Sequence, residues 1–459
     1  MYFEQFYLGC LAHASYMIGS NGEAAVIDPQ RDVEIYLKAA AENGLKIRHI
    51  FETHLHADFV SGHKELAERT GARIYIGAKA GATFPHVAVC DGSEVRFGSC
   101  TISVLETPGH TPESICLLVS DSEKRSAPWA VLTGDTLFIG DVGRPDLSKA
   151  FTPQQLAAML YDSLHRKLMT LPDDVLVYPA HGAGSLCGRN MRAERSSTIG
   201  TERLTNYALQ IKTRDEFVQQ MTSNLPARPE YFARDAEINR GGAAALEELP
   251  ELRPISAKEL KQVLAEGVPA LDVRPTEVFA AGHVPGSINI ALSGQFASWA
   301  GSLLGLSSKP VLIADNSEQL EEARIRLARV GIEDLTGYLQ DGIGGWKQAG
   351  LETWTIPQLS ARELSDRNDL SVLDVRREGE WQMGHLEKAQ LWPLDRLKDS
   401  LPALDKQTAI AVHCKSGYRS MIACSLLQRA GYRNVSNVMG GFDAWQQEKL
   451  PVVAETAAQ

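Results

Sequence analysis

The chain has 459 residues, of which 44% are hydrophobic and 22% charged, and its formal net charge is −11 at pH 7. That length predicts roughly two to four domains, and the negative balance offers no basic surface for nucleic acid or an anionic membrane. No apolar run approaches the roughly 18 residues of a membrane span, and residues 1–11 carry no basic or apolar leader, so a cytoplasmic protein is expected. Homo-oligomerisation is left open.

Up to about residue 180, short apolar runs alternate with polar clusters rich in His, Asp and Gly. Residues 47–51, 102–105, 129–132 and 175–178 read as buried strands, and residues 33–43 and 153–168 show helical periodicity. This predicts a layered α/β domain. Four clusters follow the strands directly: Thr53-His54-Leu55-His56-Ala57-Asp58, Pro108-Gly109-His110, Gly134-Asp135 and Pro179-Ala180-His181. Groups at the carboxyl ends of strands converge on one crevice. Imidazole and carboxylate ligands meeting there suit Fe, Zn or Mn and need no thiolate. Two further segments lie close in sequence. Arg144, in Gly143-Arg144-Pro145-Asp146, is either a partner for an anionic substrate or a surface residue. Cys187, in Gly184-Ser185-Leu186-Cys187-Gly188, is either a sulfur acceptor or a small packed side chain.

The seven cysteines are odd in number and scattered, which argues against a disulfide framework or a zinc ribbon. Cys10, Cys90, Cys100 and Cys116 read as packing residues. Residues 195–222 read as helical, and 226–253, with Pro226, Pro229, Gly241, Gly242 and Pro250, read as a linker.

The remainder is an internal repeat of about one hundred residues. Leu271-Asp272-Val273-Arg274 recurs as Leu373-Asp374-Val375-Arg376, and Gly282-His283 as Gly384-His385. Gly342-Ile343-Gly344-Gly345-Trp346 recurs as Gly441-Phe442-Asp443-Ala444-Trp445. Each copy alternates strands and helices, so each predicts a small α/β domain with a parallel sheet, at 254–356 and 357–459. In the second copy an apolar strand ends in Cys414-Lys415-Ser416-Gly417-Tyr418-Arg419, followed by an apolar helix. A cysteine between a strand end and a helix start, beside Lys and Arg, is placed where the thiolate is favoured. Gly417 lets successive backbone N–H groups curl into an anion nest. The first copy has Ala314-Asp315-Asn316-Ser317-Glu318 there and no cysteine at all, so transfer through a cysteine persulfide is excluded in it. It is expected to be a spacer.

On the ordered His and Asp motifs, residues 1–225 resemble the metallo-β-lactamase superfamily, which implies an αββα sandwich. Phe59 stands where that family's motif places a second-metal His, which implies a single metal. Within the superfamily the chain is most similar to persulfide dioxygenases fused to rhodanese domains. That resemblance implies one Fe(II) per chain held by His54, His110 and Asp135, a two-His, one-carboxylate triad, with His56, Asp58 and His181 around it. It implies a small-molecule thiol persulfide as substrate, O2 as oxidant, and sulfite or thiosulfate as the further sulfur species. The second repeat resembles the rhodanese domain. Cys414 would carry the sulfane sulfur, Arg419 would close the loop, and Lys415, Ser416, Gly417 and Tyr418 would cradle the anion. Six residues from Cys to Arg match that family, whereas related phosphatases use one more. Two other readings stay open: a zinc-dependent thioester hydrolase with an accessory sulfurtransferase domain, and a sulfur carrier with a vestigial metal site.

Overall fold

In the computed structural model the described residues are 1–454, apart from 126, 224, 226 and 306. Pro226, read above as part of the linker, lies outside them. The chain divides into two compact units. One is Met1–Leu249 with Ala328–Gly331; the other is Pro250–Leu327 with the chain from Ile332 onward.

The first unit is built on two six-stranded sheets. One runs in the order β1 (Tyr2–Leu8), β2 (His13–Ser20), β3 (Glu23–Ile27), β4 (Lys46–Glu52), β5 (Arg73–Gly77) and β6 (Val87–Val89). The other holds β7 (Glu94–Phe97), β8 (Cys100–Glu106), β9 (Ile115–Asp121), β10 (Ala130–Gly134), β11 (Leu176–Pro179) and β12 (Ser197–Thr198), each beside the next. Alternation in β8 shows the sheet's two environments: Cys100, Ile102 and Val104 are fully buried, while Thr101 and Ser103 are not. Tyr16, Phe51, Ile102, Leu117 and Leu132 share one core cluster, so the two sheets pack face to face. The outer faces are covered by helices. Tyr36 and Leu66 join the core on the first sheet, and Ala157, Leu160 and Leu164 of helix Pro153–Arg166 lie at one-turn spacing in the core on the second. That helix starts where Thr152 and Gln155 form a reciprocal capping box, with Pro153 at its first turn. The result is an αββα sandwich.

The linker reading fails at its centre. Residues Tyr231–Gly241 form a helix, ended by Gly242 at φ +76°, and it belongs to the first unit. Residues 195–222 are also more broken than expected: helices Ile199–Thr205 and Arg214–Thr222 are separated by a 3-10 turn at Tyr207–Gln210.

The second unit contains two five-stranded sheets with the same topology. The first is ordered β13 (Pro254–Ile255), β17 (Gly337–Leu339), β16 (Val311–Ile313), β14 (Ala270–Asp272), β15 (Ile288–Asn289). The second is ordered β18 (Gln358–Leu359), β22 (Val435–Val438), β21 (Ile410–His413), β19 (Ser371–Asp374), β20 (Ala389–Leu391). Every pairing in both is parallel. The repeated Asp-Val-Arg run begins at the last residue of β14 in one copy and of β19 in the other. There the carboxylate grips the arginine two residues on: Asp272 with Arg274 and Asp374 with Arg376, both with closest contacts of 2.6 Å. Both pairs are buried, and each arginine also donates to a glycine carbonyl, Gly282 or Gly384. A buried arginine needs such compensation to remain inside.

Candidate functional site

The strand-end clusters converge as the topology requires. β4 leads into His54, β10 into Asp135 and β11 into His181, while His110 lies in the loop between β8 and β9. The ligand atoms of His54, His110 and Asp135 all lie within 4.8 Å of one another, and all three residues are buried. His110 Nε2 is 3.4 Å from Asp135 Oδ2, and His54 Nε2 is 3.8 Å from it.

The far side of each residue is already committed. His110 Nδ1 lies 2.9 Å from the Arg144 carbonyl, which accepts its N–H, and His54 Nδ1 lies 3.0 Å from Thr53 Oγ1. Asp135 Oδ1 accepts from His181 Nδ1 at 2.7 Å. The near atoms, His54 Nε2, His110 Nε2 and Asp135 Oδ2, have no hydrogen-bond partner among the described residues. Three buried orphans facing one point would cost several kcal/mol in total if left so, at about 1–3 kcal/mol each. One divalent cation satisfies all three, so this donor set fits a metal.

Electrostatics agree with that arrangement. Burial, with His56 nearby, holds His54 well below the usual histidine pKa, so its lone pair is free for a metal. Burial likewise lowers His110, against the opposing charge of Asp135. Burial alone would raise Asp135, but His181, His110 and His54 hold it well below the carboxylate range.

The surrounding residues differ in detail from a simple ring of helpers. His56 packs its ring 4.1 Å from that of His54 but directs its Nε2 to other residues. Its Nε2 lies 3.1 Å from Asp28 and 3.5 Å from Glu52, within a buried network that sequence reading missed. Asp28 also accepts from the Thr53 N–H and hydroxyl, fixing the strand end that carries His54. Its one sequence signal is an Asp-Pro step, and in the fold it holds a left-handed φ of +51°. His181 sits between two carboxylates, with Nδ1 2.7 Å from Asp135 and Nε2 2.8 Å from Asp58. Burial opposes its charge, but those carboxylates raise its pKa well above the ordinary value. Phe59 is fully buried with its ring 4.1 Å from the His13 ring and 4.4 Å from that of His56.

The guanidinium of Arg144, offered above as a substrate contact, is committed elsewhere. It is bidentate to Asp146 at 2.7 and 2.9 Å and donates to the Leu186 carbonyl. Its carbonyl, not its charge, is what reaches the centre. Cys187 is 1% exposed and groups with Asp58 and His181. Burial and then the two aspartates push its thiol pKa well up, so it is a neutral thiol. Among the other cysteines, Cys100 and Cys116 are buried as expected, whereas Cys90 is exposed.

In the second unit, β21 delivers Cys414 to the start of helix Tyr418–Arg429. Its Sγ accepts the Gly417 N–H at 3.2 Å and the Ser420 hydroxyl at 3.5 Å. Gly417 has φ +100°, the curl expected of it. The neighbouring helix start closes over the loop: Phe442 and Asp443 donate their N–H groups to the Cys414 and Lys415 carbonyls. Gly441 permits that approach, since a Cβ there would lie 2.4 Å from the Cys414 oxygen. Lys415 and Ser416 are exposed at the rim, Gly417 is buried, and Tyr418 is half-buried. Arg419 is gripped by Glu380 through two bonds of 2.6 and 2.7 Å. Sequence reading missed Glu380, yet comparing the repeats exposes it. Counted from the shared Leu-Asp-Val-Arg run, its equivalent is Val278, and the first copy lacks the arginine too.

Metallo-beta-lactamase superfamily sequences match residues 8–181, and the rhodanese-like domain matches residues 256–349 and 358–448. The chain belongs to the metallo-beta-lactamase superfamily and carries two rhodanese-like domains. It is similar to the mitochondrial persulfide dioxygenase ETHE1 of Homo sapiens, at 32% identity over 237 residues, covering 50% of this chain and 84% of that one. It is also similar to a hydroxyacylglutathione hydrolase of Rhizobium johnstonii, at 32% identity over 221 residues, covering 47% and 79%. A crystal structure of a metallo-beta-lactamase from Staphylococcus aureus superposes with a TM-score of 0.66 at 33% identity, covering 73% of this chain and 98% of that one. Among the described residues no helix is long and apolar enough to cross a membrane.

Proposed function

We propose that the chain is a non-haem iron persulfide dioxygenase joined to a rhodanese-type sulfurtransferase. The first unit would oxidise a low-molecular-weight thiol persulfide with O2 and water to sulfite and free thiol. The second would carry a sulfane sulfur on Cys414, forming or using thiosulfate. The observation that carries the reading is the convergence of three orphaned ligand atoms, two imidazole nitrogens and one carboxylate oxygen. His54, His110 and Asp135 would hold the Fe(II), which would supply the chemistry between O2 and a persulfide.

Residues around the triad would have separate tasks. Thr53 and the Arg144 carbonyl fix the ring orientations of His54 and His110, and His181 fixes Asp135. His181 Nδ1 is bonded to Asp135, while its Nε2 lies 2.8 Å from Asp58 in a second buried group with Cys187. It is Phe59, in place of the family's second-metal His, that supports one ion per chain. At the other site the buried Cys414 sulfur faces amide and hydroxyl donors that suit a persulfide anion.

A second reading, hydrolysis of a glutathione thioester by a zinc centre, is favoured by the similarity to hydroxyacylglutathione hydrolases. Phe59, buried where the family's second-metal His would stand, counts against it. Metal analysis with oxygen uptake decides between them. The expected result is one iron per chain and persulfide-dependent oxygen uptake that Cys414→Ser leaves intact while abolishing sulfur transfer. Two metals per chain, or thioester cleavage by a zinc-only preparation without oxygen uptake, would establish the hydrolase instead.

A further inference from the structure

The helix that begins at the Cys414 loop, Tyr418–Arg429, does not stand on its own repeat alone. Along one face it is held by the first, cysteine-less repeat. The Tyr418 hydroxyl donates to the Ala291 carbonyl at 2.8 Å. Ser425 Oγ accepts the Asn289 N–H at 3.1 Å, and Gln428 Oε1 lies 3.0 Å from His283 Nε2. Arg429 donates to the Gly286 carbonyl at 2.9 Å. Positions 418, 425, 428 and 429 lie on one side of a helix. All of these contacts fall within the second compact unit.

The first of them reaches the reactive loop. Tyr418 follows Gly417, whose N–H points at the Cys414 sulfur, so anchoring Tyr418 helps hold the loop turn at Gly417 (φ +100°) that aims this amide. The ring of Tyr418 rests on Gly294. A Cβ at position 294 would lie 2.5, 2.6 and 2.8 Å from three ring atoms, closer than side chains approach. The segment under the ring is itself anchored from below, because Arg326 of the first repeat donates to the Leu292 and Gly294 carbonyls. Asn289 ties the same stretch to the Asp-Val-Arg corner, donating to the Asp272 and Arg274 carbonyls at 3.0 Å each.

We propose that the cysteine-less repeat is a working part of the sulfurtransferase site: residues 291–294 form a seat that positions Tyr418, and through it the Gly417 amide against Cys414. Gly294 and Tyr418 are then positioning residues. The inference rests on the reading of Cys414 as the reactive thiol, and it gives the silent repeat a task beyond spacing.

The test uses full-length protein with Gly294→Val, Tyr418→Phe, Tyr418→Ala and the double variant Gly294→Val/Tyr418→Ala. Two quantities are read: the rate of iodoacetamide labelling of Cys414 against pH, followed by mass spectrometry of its peptide, and kcat and KM for sulfur transfer from thiosulfate to cyanide. Because misplacing a reacting group by about 1 Å can cost up to about a hundredfold, Gly294→Val should lower kcat roughly tenfold or more with KM little changed. Its labelling profile should move along the pH axis, and oxygen uptake should stay at the wild-type level. Tyr418→Phe keeps the ring and loses only the hydroxyl bond, so a smaller shift in the same direction is expected. In the Tyr418→Ala background the valine has no ring to displace and should add nothing. Wild-type labelling in Gly294→Val, or an undiminished valine effect without the Tyr418 ring, overturns the proposal. If Gly294→Val does not fold, Tyr418→Phe decides alone, and a wild-type profile in it overturns the proposal. If wild type transfers no sulfur yet labelling responds as described, the sulfurtransferase reading fails while the seat stands.

Discussion

At the scale of single residues, the two candidate centres differ in how charge is arranged around them. In the first, His181 joins two carboxylates and aims one of them inward. Removing such an orienting partner commonly weakens metal binding about 10–100-fold. His181→Ala should therefore lose iron in dialysis against a chelator that wild type resists, and regain part of its oxygen uptake at saturating Fe(II). Wild-type retention of iron would refute the orienting role. In the second centre, burial works against the charge on Glu380, but its paired bonds from Arg419 bring its pKa from 4.5 down to about 2. A carboxylate depressed on folding contributes stability above its unfolded pKa and loses it as pH falls through the folded value. The stability advantage of wild type over Glu380→Gln should thus be full above about pH 4.5 and shrink toward pH 2. Unfolding curves measured at steps across that window check it. An advantage independent of pH would mean that the ion pair is not its source. The His, Asp and Cys positions could be read from sequence because each follows an apolar run directly. Glu380 lies 39 positions before its partner Arg419, so no local pattern marks it, and only its loss together with the arginine in the first copy hints at the pair that the fold then joins.

At the scale of elements, the strands and the helix at Pro153–Arg166 are legible because their apolar spacing is regular. The helix Tyr231–Gly241 is not, and its buried face explains why. It buries Tyr231 and Phe232, but one and two turns on it buries Asp235 and Asn239. A polar buried stripe carries no apolar period, and Pro229, Gly241 and Gly242 around it imitate a linker. The element nevertheless serves the metal loop. Asn239 accepts the Ser61 N–H at 2.8 Å and donates to the His56 and Phe59 carbonyls at 2.7 Å each. These three bonds pin the loop between β4 and helix His63–Thr70. Asn239→Leu leaves three buried backbone groups unpaired at about 1–3 kcal/mol apiece. A loss of about 3 kcal/mol or more from the first unit is expected, with weaker iron retention, measured by denaturant unfolding and metal analysis. If the loss is under about 1 kcal/mol, the loop does not depend on this residue.

At the scale of the molecule, the sequence suggests three folded bodies joined by a linker, with the middle one a spacer. The fold keeps the two repeats as rhodanese-like domains, each with its own sheet and core cluster, but both fall in one compact unit, and the helix behind Cys414 finds hydrogen-bond partners in the silent copy. Sequence reading missed this because most of the bonds involve main-chain atoms of Asn289, Ala291 and Gly286. His283 does stand out in the repeat, but its match to His385 does not reveal that Gln428 of the other copy is its partner. The consequence is thermodynamic. Elements whose buried polar groups satisfy each other unfold together, since separating them strands those groups. Differential scanning calorimetry of the iron-loaded chain should therefore resolve two transitions. A ligand that binds only the folded state stabilises it by mass action, so stripping iron should lower one transition and leave the other in place. Asn289→Pro, which deletes the N–H donated to Ser425, should lower the other transition as a whole, carrying both repeats down together. A third transition assigned to residues 254–356 alone would show that the silent repeat folds independently. In that case its removal would leave sulfur transfer intact, as a mere spacer requires.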